Sequence, residues 1–170
     1  MARFTVLTVP DPRLRIKAEP VLQVDDSVRQ LMNDLMDTMY ADDGAGLAAV
    51  QVGIPKRVIV MDLTDQYPSL RPLKIANPEI TWRSEETEIE LEGCLSVPEQ
   101  SARIERHAAI KVRYLDENNR LHEINAEGIL ARCFQHEIDH LDGKVYIDYV
   151  SPLKRQILIQ KAQKVVRMRK

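Results

Sequence analysis

One stretch of nine residues, Gln135–Gly143, contains side chains whose types and spacing could carry out a reaction. If this stretch is helical, His136 and His140 stand one turn apart on the same face and can each direct a ring nitrogen at one metal ion. Glu137 follows the first histidine, so its carboxylate can reach a water on that ion without being a ligand and can act as a general base. This HExxH arrangement predicts a divalent metal site. The same residues would also suit a solvated helix, so the interpretation depends on a third ligand.

A catalytic metal site of this kind needs one more protein ligand and one open position for water or substrate. No glutamate follows Glu137, and Tyr146 stands where the extended HExxHxxGxxH pattern would have a third histidine. Asp142 and Asp148 are available, although neither has a helical placement that favours it. Cys133 lies on the same helix, but ligands spread over roughly 10 Å of one straight helix do not readily converge on one ion. We therefore interpret Cys133 as a core residue.

Cys94 is the remaining candidate for the third ligand. Gly93 permits an unusual backbone turn before it, and Pro98 limits the strand after it. The thiolate can therefore be held at the edge of a sheet that faces the helix. A thiolate and two imidazoles leave one position open on a four-coordinate ion and suit zinc or ferrous iron.

The elements around these residues follow from apolar periodicity and capping signals. We predict helices over Ser27–Tyr40, over Ile129–Leu141 with Gly143 at its C-terminal end, and from Ser151 and Pro152 onward. The predicted strands are residues 57–62, 73–75, 80–82 and 88–91, a hairpin of 110–114 and 121–124, and 145–147. This order predicts an α+β fold, with antiparallel sheets packed around a central metal-binding helix and a helix towards each end of the chain.

The last predicted helix has two different sides. Its predicted apolar side consists of Leu153, Ile157, Leu158, Ala162, Val165 and Val166. The other side is basic, and it consists of Lys154, Arg155, Lys161, Lys164, Arg167, Arg169 and Lys170. A basic face of this kind is usually only solvated, although it could also contact RNA.

Length, charge and cysteine content limit the class of protein. A chain of 170 residues fits one domain, residues 1–170. With 24 basic and 26 acidic residues the chain has no overall field that would attract DNA or an anionic membrane. Two cysteines are too few for a disulfide framework. No apolar run approaches the roughly 20 residues of a membrane helix, so we expect a cytoplasmic protein.

Three motifs, found in order, make the chain closely resemble the peptide deformylases. They are Gly44-Ala45-Gly46-Leu47-Ala48-Ala49-Val50-Gln51, Glu92-Gly93-Cys94-Leu95-Ser96 and Gln135-His136-Glu137-Ile138-Asp139-His140. The resemblance extends over nearly the whole chain, through Ser151-Pro152-Leu153. It implies a metal-dependent hydrolase, acting on linear amides, that removes the N-formyl group from the initiator methionine of newly made polypeptides and releases formate.

The resemblance also implies a role for individual residues. Cys94, His136 and His140 would hold the metal, and Glu137 would accept a proton from the metal-bound water as this attacks the formyl carbon, then return it to the departing amine. The Gln51 side chain and the Leu95 backbone N–H would donate to the oxyanion. The remaining roles concern the substrate: Gly46 would pair with its backbone, and Ala45, Ile129 and Cys133 would line the methionine pocket.

Further properties follow from the resemblance alone. It implies ferrous iron as the metal in the cell, with zinc, nickel or cobalt able to replace it, and a monomer. Some family members contact the ribosome through the C-terminal helix, so such contact is an expectation here. Glu92 and Arg106 are expected to form a buried ion pair that braces the Cys94 loop. Ser101 stands where some members have an arginine that reaches the substrate. Ala45 is smaller than the isoleucine that many members have at the position of Ala45.

Two other functions are compatible with the motifs taken separately. A metallopeptidase cutting internal bonds would use His136, His140 and either Asp142 or Asp148 as ligands. A binding module, with a structural metal or a ribosome contact through its basic last helix, would need a fourth protein ligand to close the metal site. Replacing Cys94 tests the first alternative, and replacing Glu137 by Gln tests the second.

Overall fold

The structure, a computed structural model, describes residues 3–170 and contains three α-helices and seven β-strands. The helices are α1 (Asp26–Ala41), α2 (Gly128–Leu141) and α3 (Pro152–Met168). The strands are β1 (Gly46–Ala48), β2 (Val58–Met61), β3 (Leu73–Arg83), β4 (Thr87–Cys94), β5 (Val97–His107), β6 (Ala109–Leu115) and β7 (Leu121–Glu127).

The strands form two antiparallel sheets around α2. A five-stranded sheet has the order β1-β2-β3-β6-β7, and β4 pairs with β5 in a separate two-stranded sheet. Helix α2 contacts strands of both sheets. The predicted α+β fold, with a central motif helix and a helix towards each end, is confirmed.

Two glycines with positive φ angles lie at the ends of helix α2. Gly128, its first residue, and Gly143, two residues after its last, have φ values of +61° and +76°, a region that glycine enters without steric cost. A Cβ at Gly143 would also lie 2.5 Å from the backbone oxygen of Arg15. Between these ends Ala131, Phe134 and Leu141 are fully buried in the main apolar core.

Helix α1 closes the other side of the five-stranded sheet. The Asp25 side chain accepts a hydrogen bond from the Val28 backbone N–H at 3.0 Å, which caps its first turn. Met32, Leu35 and Met39 are completely buried and pack with residues of β1 and β2. The methionines of the predicted helix are therefore core residues.

The structure differs from the strand predictions in four places, one of which is that β1 (Gly46–Ala48) was not predicted. Residues 73–75 and 80–82 belong to one strand, β3, because the interruption at Pro78 is absorbed by a shift of register between Ala76 and Glu79. Residues 145–147 are not a strand: a 3-10 helix runs from Tyr146 to Tyr149. Strand β5 was not predicted, and Pro98 is its second residue, a position where a strand tolerates proline.

Helix α3 begins as predicted, but less of it is buried. Ser151 Oγ accepts a hydrogen bond from the Lys154 backbone N–H, with proline at the first helical position. Only Leu158 and Ala162 of this helix are buried, whereas Leu153 and Ile157 are exposed. Among residues 3–170, no helix has the length and apolar character needed to cross a membrane.

Candidate metal centre and catalytic site

The structure brings Cys94, His136 and His140 together. Cys94 is the last residue of β4, and both histidines lie on α2. Their ligand atoms all lie within 4.8 Å of one another, and Cys94 Sγ is 3.3 Å from His140 Nε2. Zinc–sulfur and zinc–nitrogen bonds of about 2.3 and 2.1 Å would separate two ligands of a tetrahedral ion by roughly 3.5 Å. The three side chains therefore fit one divalent ion.

Glu92 orients the first histidine ligand. Its Oε1 accepts a hydrogen bond of 2.8 Å from His136 Nδ1, which leaves His136 Nε2 free to bind a metal. Arg106 Nε and Nη2 donate to the two carboxylate oxygens at 2.8 and 2.9 Å. Burial would raise the pKa of Glu92, but hydrogen bonds from Arg106 and His136 outweigh it and hold this pKa far below its usual range. The expected Glu92–Arg106 ion pair is confirmed.

A second arginine at Glu92 was missed by the sequence analysis. Arg132 Nη1 donates to Glu92 Oε2 at 2.7 Å. The available signal was its position four residues before His136, which places both side chains on the same face of α2. Without knowledge of β5, that position alone did not identify a partner.

Glu137 is buried beside the candidate ligands and is poorly solvated. Its Oε2 lies 3.9 Å from His136 Nε2, and its Oε1 has no hydrogen-bond partner among residues 3–170. Burial raises the pKa of Glu137 to about 7, because the charged form loses hydration, although His136 opposes this rise. A buried carboxyl with this pKa can both accept and release a proton near neutral pH.

The two histidines differ in their electrostatic surroundings. Burial would lower the pKa of His136, but the hydrogen bonds that its ring makes to Cys94 and Glu92 outweigh this and raise it. Burial lowers the pKa of His140 well below its usual range, and a proton on the neighbouring His136 would add to this effect. His140 is therefore neutral, the form in which an imidazole binds metal.

Gln51 lies next to Cys94 and is held in a fixed orientation. Its Oε1 accepts from the Ala48 backbone N–H at 2.9 Å, so its amide nitrogen points the other way. Nε2 donates to Ser96 Oγ at 3.0 Å and lies 3.4 Å from Cys94 Sγ. The predicted site residue Gln51 therefore reaches the candidate metal centre.

A cavity of about 450 Å³ lies beside this cluster, although Gln51 and His140 are not among the residues that line it. The predicted site residues that line it are Ala45, Gly46, Cys94, Leu95, Ile129, Cys133, His136 and Glu137. Leu91 and Arg132 also line it and were not predicted to do so. Cys133 packs against the main core as well, and burial raises its pKa well above the usual range, so its thiol stays protonated.

The alternative carboxylate ligands are engaged in other contacts. Asp142 Oδ1 lies 3.0 Å from Arg57 Nη1, and Asp148 Oδ2 lies 2.6 Å from Arg15 Nη1. Neither belongs to a cluster of potential metal ligands within residues 3–170. This arrangement does not favour the metallopeptidase alternative.

Comparisons with known proteins all indicate the same protein family. The sequence model of the family described as polypeptide deformylase matches residues 4–156. The chain is 49% identical over 175 residues to a peptide deformylase of Rhizorhabdus wittichii, covering 100% of this chain and 99% of the relative. It is 52% identical over 166 residues to one of Maricaulis maris, covering 97% and 95%.

Solved structures give the same result. A crystal structure of peptide deformylase from Ehrlichia chaffeensis superposes with a TM-score of 0.93 at 43% identity, covering 98% of each chain. A structure from the same organism in complex with actinonin has a TM-score of 0.91 at 45% identity, covering 96% of this chain and 98% of the other.

Proposed function

The chain belongs to the polypeptide deformylase family, and from this premise we propose which residues remove the N-formyl group from newly made polypeptides. Enzymes of this family are metal-dependent hydrolases of the amidohydrolase type. The observation that best supports our assignment is the convergence of Cys94, His136 and His140 beside the buried carboxyl of Glu137.

Cys94, His136 and His140 hold the metal in this proposal. A divalent ion bound there supplies Lewis acidity, which polarises the formyl oxygen and acidifies a water molecule. Glu92 keeps His136 in the tautomer that this role requires, through the 2.8 Å hydrogen bond to Nδ1. Because Cys94 and His136 line the cavity, a substrate bound there could reach an ion held by these residues.

Glu137 is the general base and then the general acid. Its carboxylate accepts a proton from the water whose oxygen attacks the formyl carbon. It then gives this proton to the amide nitrogen as the carbon–nitrogen bond breaks, so that formate and a free amino terminus leave. The unpartnered Oε1 and the raised pKa of Glu137 support both transfers.

Gln51 and the Leu95 backbone N–H stabilise the oxyanion of the tetrahedral intermediate. The support for this role is the fixed Gln51 amide beside Cys94 and the position of Leu95 at the cavity. Gly46 pairs with the substrate backbone. β1 is an edge strand that has β2 on only one side, so its free edge can accept an added strand at the cavity.

Ala45, Ile129 and Cys133 form part of the pocket for the methionine side chain. All three line the cavity that two of the candidate metal ligands, Cys94 and His136, also line. A thiol that stays protonated, as burial of Cys133 ensures, makes an apolar wall compatible with a thioether.

Ferrous iron is our proposed metal in the cell, and zinc, nickel or cobalt can replace it. One thiolate and two imidazoles accept any of these ions. A thiolate on ferrous iron is sensitive to oxygen, so activity should decline faster in air for the iron form than for the nickel form.

We further propose that the protein works in the cytoplasm as a monomer, where newly made polypeptides emerge from ribosomes. A ribosome contact through α3 is supported by its exposed cations, among them Lys154, Lys161 and Lys164. Co-sedimentation with ribosomes that weakens on replacing these three lysines by glutamate would support the contact, and unchanged co-sedimentation would contradict it.

Formate release from an N-formyl-methionyl tripeptide tests the proposed activity. We expect the protein, purified without oxygen, to release one formate for each new amino terminus, to lose activity with a chelator, and to regain it with ferrous iron. Cleavage of internal peptide bonds instead, by a Cys94→Ala variant that keeps its metal, would contradict the proposal and favour a metallopeptidase.

A further inference from the structure

Arg132 lines the substrate cavity but is not free to act as a surface charge. Its side chain is only 12% exposed and lies on α2 between two proposed pocket residues, Ile129 and Cys133. Besides the 2.7 Å contact to Glu92, Arg132 Nη1 donates to the Ile104 backbone oxygen at 2.8 Å. Arg132 Nη2 donates to the Glu88 backbone oxygen, also at 2.8 Å. One guanidinium thus connects a helix with two strands.

Charge neutralisation does not explain this arrangement. The Glu92 carboxylate is already paired with Arg106 through two hydrogen bonds and receives a further one from His136. Two of the three Arg132 hydrogen bonds go to backbone carbonyls instead, on β5 at Ile104 and on β4 at Glu88. Backbone contacts fix the position of an element rather than the charge of a side chain.

Two of the elements that Arg132 connects, α2 and β4, line the same cavity. Ile129, Arg132 and Cys133 line it from α2, and Leu91 lines it from β4. Glu88 and Glu92, the β4 residues that Arg132 contacts, lie on either side of Leu91 along the strand. A shift of β4 relative to α2 would therefore change the distance between the apolar walls.

We propose that Arg132 is a positioning residue that sets the width of the methionine pocket by tying α2 to β4 and β5. This inference rests on the proposed function, because it takes the cavity beside the metal ligands as the site for the first side chain of the substrate. It makes Arg132 a determinant of selectivity that acts through Leu91 and Ile129 without touching the reacting atoms.

Two substitutions distinguish the effect of the Arg132 hydrogen bonds from the effect of its positive charge. Arg132→Lys keeps the positive charge near Glu92, but a single ammonium on a flexible stem cannot reproduce a planar fork that reaches several fixed acceptors. Arg132→Met keeps much of the length and removes the charge. Arg113→Lys, on an exposed residue of β6, is the matched control.

The experiment measures ligand binding in the Glu137→Gln background, so that it does not depend on turnover. Dissociation constants of an N-formyl-methionyl and an N-formyl-phenylalanyl tripeptide are determined by calorimetry on metal-loaded protein. Hydrophobic pockets discriminate by shape over about 10- to 200-fold. We expect both Arg132 substitutions to lower the preference for methionine about tenfold, with metal content unchanged, while Arg113→Lys leaves the preference unaltered.

An unchanged preference in Arg132→Lys would overturn the inference, because a charge at this position would then be sufficient. Loss of metal from that variant would also overturn it, since Arg132 would then act on the metal centre. Failure of either peptide to bind the Glu137→Gln parent would show that the cavity is not the pocket. Absence of formate release by the unmodified protein would instead reject the proposed function, and the binding preference would still test the pocket.

Discussion

Gly46 and Glu137 constrain each other at the scale of single residues. A Cβ built on Gly46 would lie 2.6 Å from Glu137 Oε2 and 3.0 Å from its Cδ. A methyl group at this position would therefore have to displace the carboxyl, which is buried beside His136. Glycine at position 46 therefore lets the proposed base take up its position, in addition to letting a peptide backbone approach.

Replacing Gly46 by alanine should displace the Glu137 carboxylate. A displacement of about 1 Å at a catalytic group can lower the rate roughly 100-fold, and overpacking should destabilise the fold by about 1–3 kcal/mol. We expect the rate of formate release to fall roughly 100-fold while the bound metal is retained. Steady-state kinetics together with metal analysis would measure both quantities.

A double-mutant cycle provides the control for Gly46→Ala. Removing the Glu137 side chain removes the atoms that the new methyl group would contact, so the destabilisation should be smaller in a Glu137→Ala background. If Gly46→Ala lowered the free energy of unfolding equally in both backgrounds, the contact with Glu137 would not be the cause of the destabilisation.

At the scale of elements, Glu92 is the point where α2 meets the two-stranded sheet. Arg106 of β5 holds Glu92 of β4 and also contacts Asp139 of α2, at 2.6 Å from its Nη1. The Arg106 and Glu92 side chains are 5% and 4% exposed, so neither charge can be compensated by solvent. We expect this network to hold Cys94 and the two histidines in their relative positions.

Replacing Arg106 by alanine should therefore weaken both the fold and the metal site. Removing one partner of a buried ion pair costs about 3–5 kcal/mol, because the other charge remains buried. We expect a loss of stability of this size in chemical denaturation and a lower metal content after dialysis. Arg113→Ala, on an exposed position, is the control, and full metal content in Arg106→Ala would contradict a bracing role.

The elements that the sequence predicted correctly are those with local signals. Helices α1 and α3 begin at capping residues, Asp25 and Ser151, and the β6–β7 hairpin encloses a turn rich in Asp and Asn. Strand β3 was divided at Pro78 because a proline usually ends a strand, and only its pairing with β6 shows a register shift that accommodates it. The burial of α3 depends on neighbours that its own periodicity cannot reveal.

The same distinction applies to the candidate site. The spacing of His136, Glu137 and His140 could be read directly, and Cys94 was reached by excluding other ligands. Arg132 could not be assigned, because its acceptors lie on β4 and on a strand, β5, that the sequence did not predict. Contacts between segments that are distant in the chain could not be predicted from the sequence.

For the whole molecule, the candidate metal site connects parts of the chain that are far apart in sequence. Cys94 ends β4 in one sheet, whereas His136 and His140 belong to the helix that contacts both sheets. An unfolded chain does not hold these three ligands together. Metal binding should therefore stabilise the folded state.

Metal removal should lower the thermal midpoint of unfolding. Free metal at 1,000 times its dissociation constant contributes about 4 kcal/mol, which corresponds to a shift of roughly 10 °C for a chain of this size. The Cys94→Ala variant should show little dependence on added metal, whereas Cys133→Ala should behave like the unmodified protein. Equal metal-dependent shifts in both cysteine variants would contradict Cys94 as a ligand.

The most direct test of the account as a whole is formate release by a Glu137→Gln variant whose metal content is measured in the same sample. Glutamine has nearly the same shape and cannot accept the proton, so we predict that the rate falls by about 100- to 10,000-fold while one metal per chain remains bound. Formate release at the unmodified rate by the fully metallated variant would contradict the assignment of Glu137 as the base.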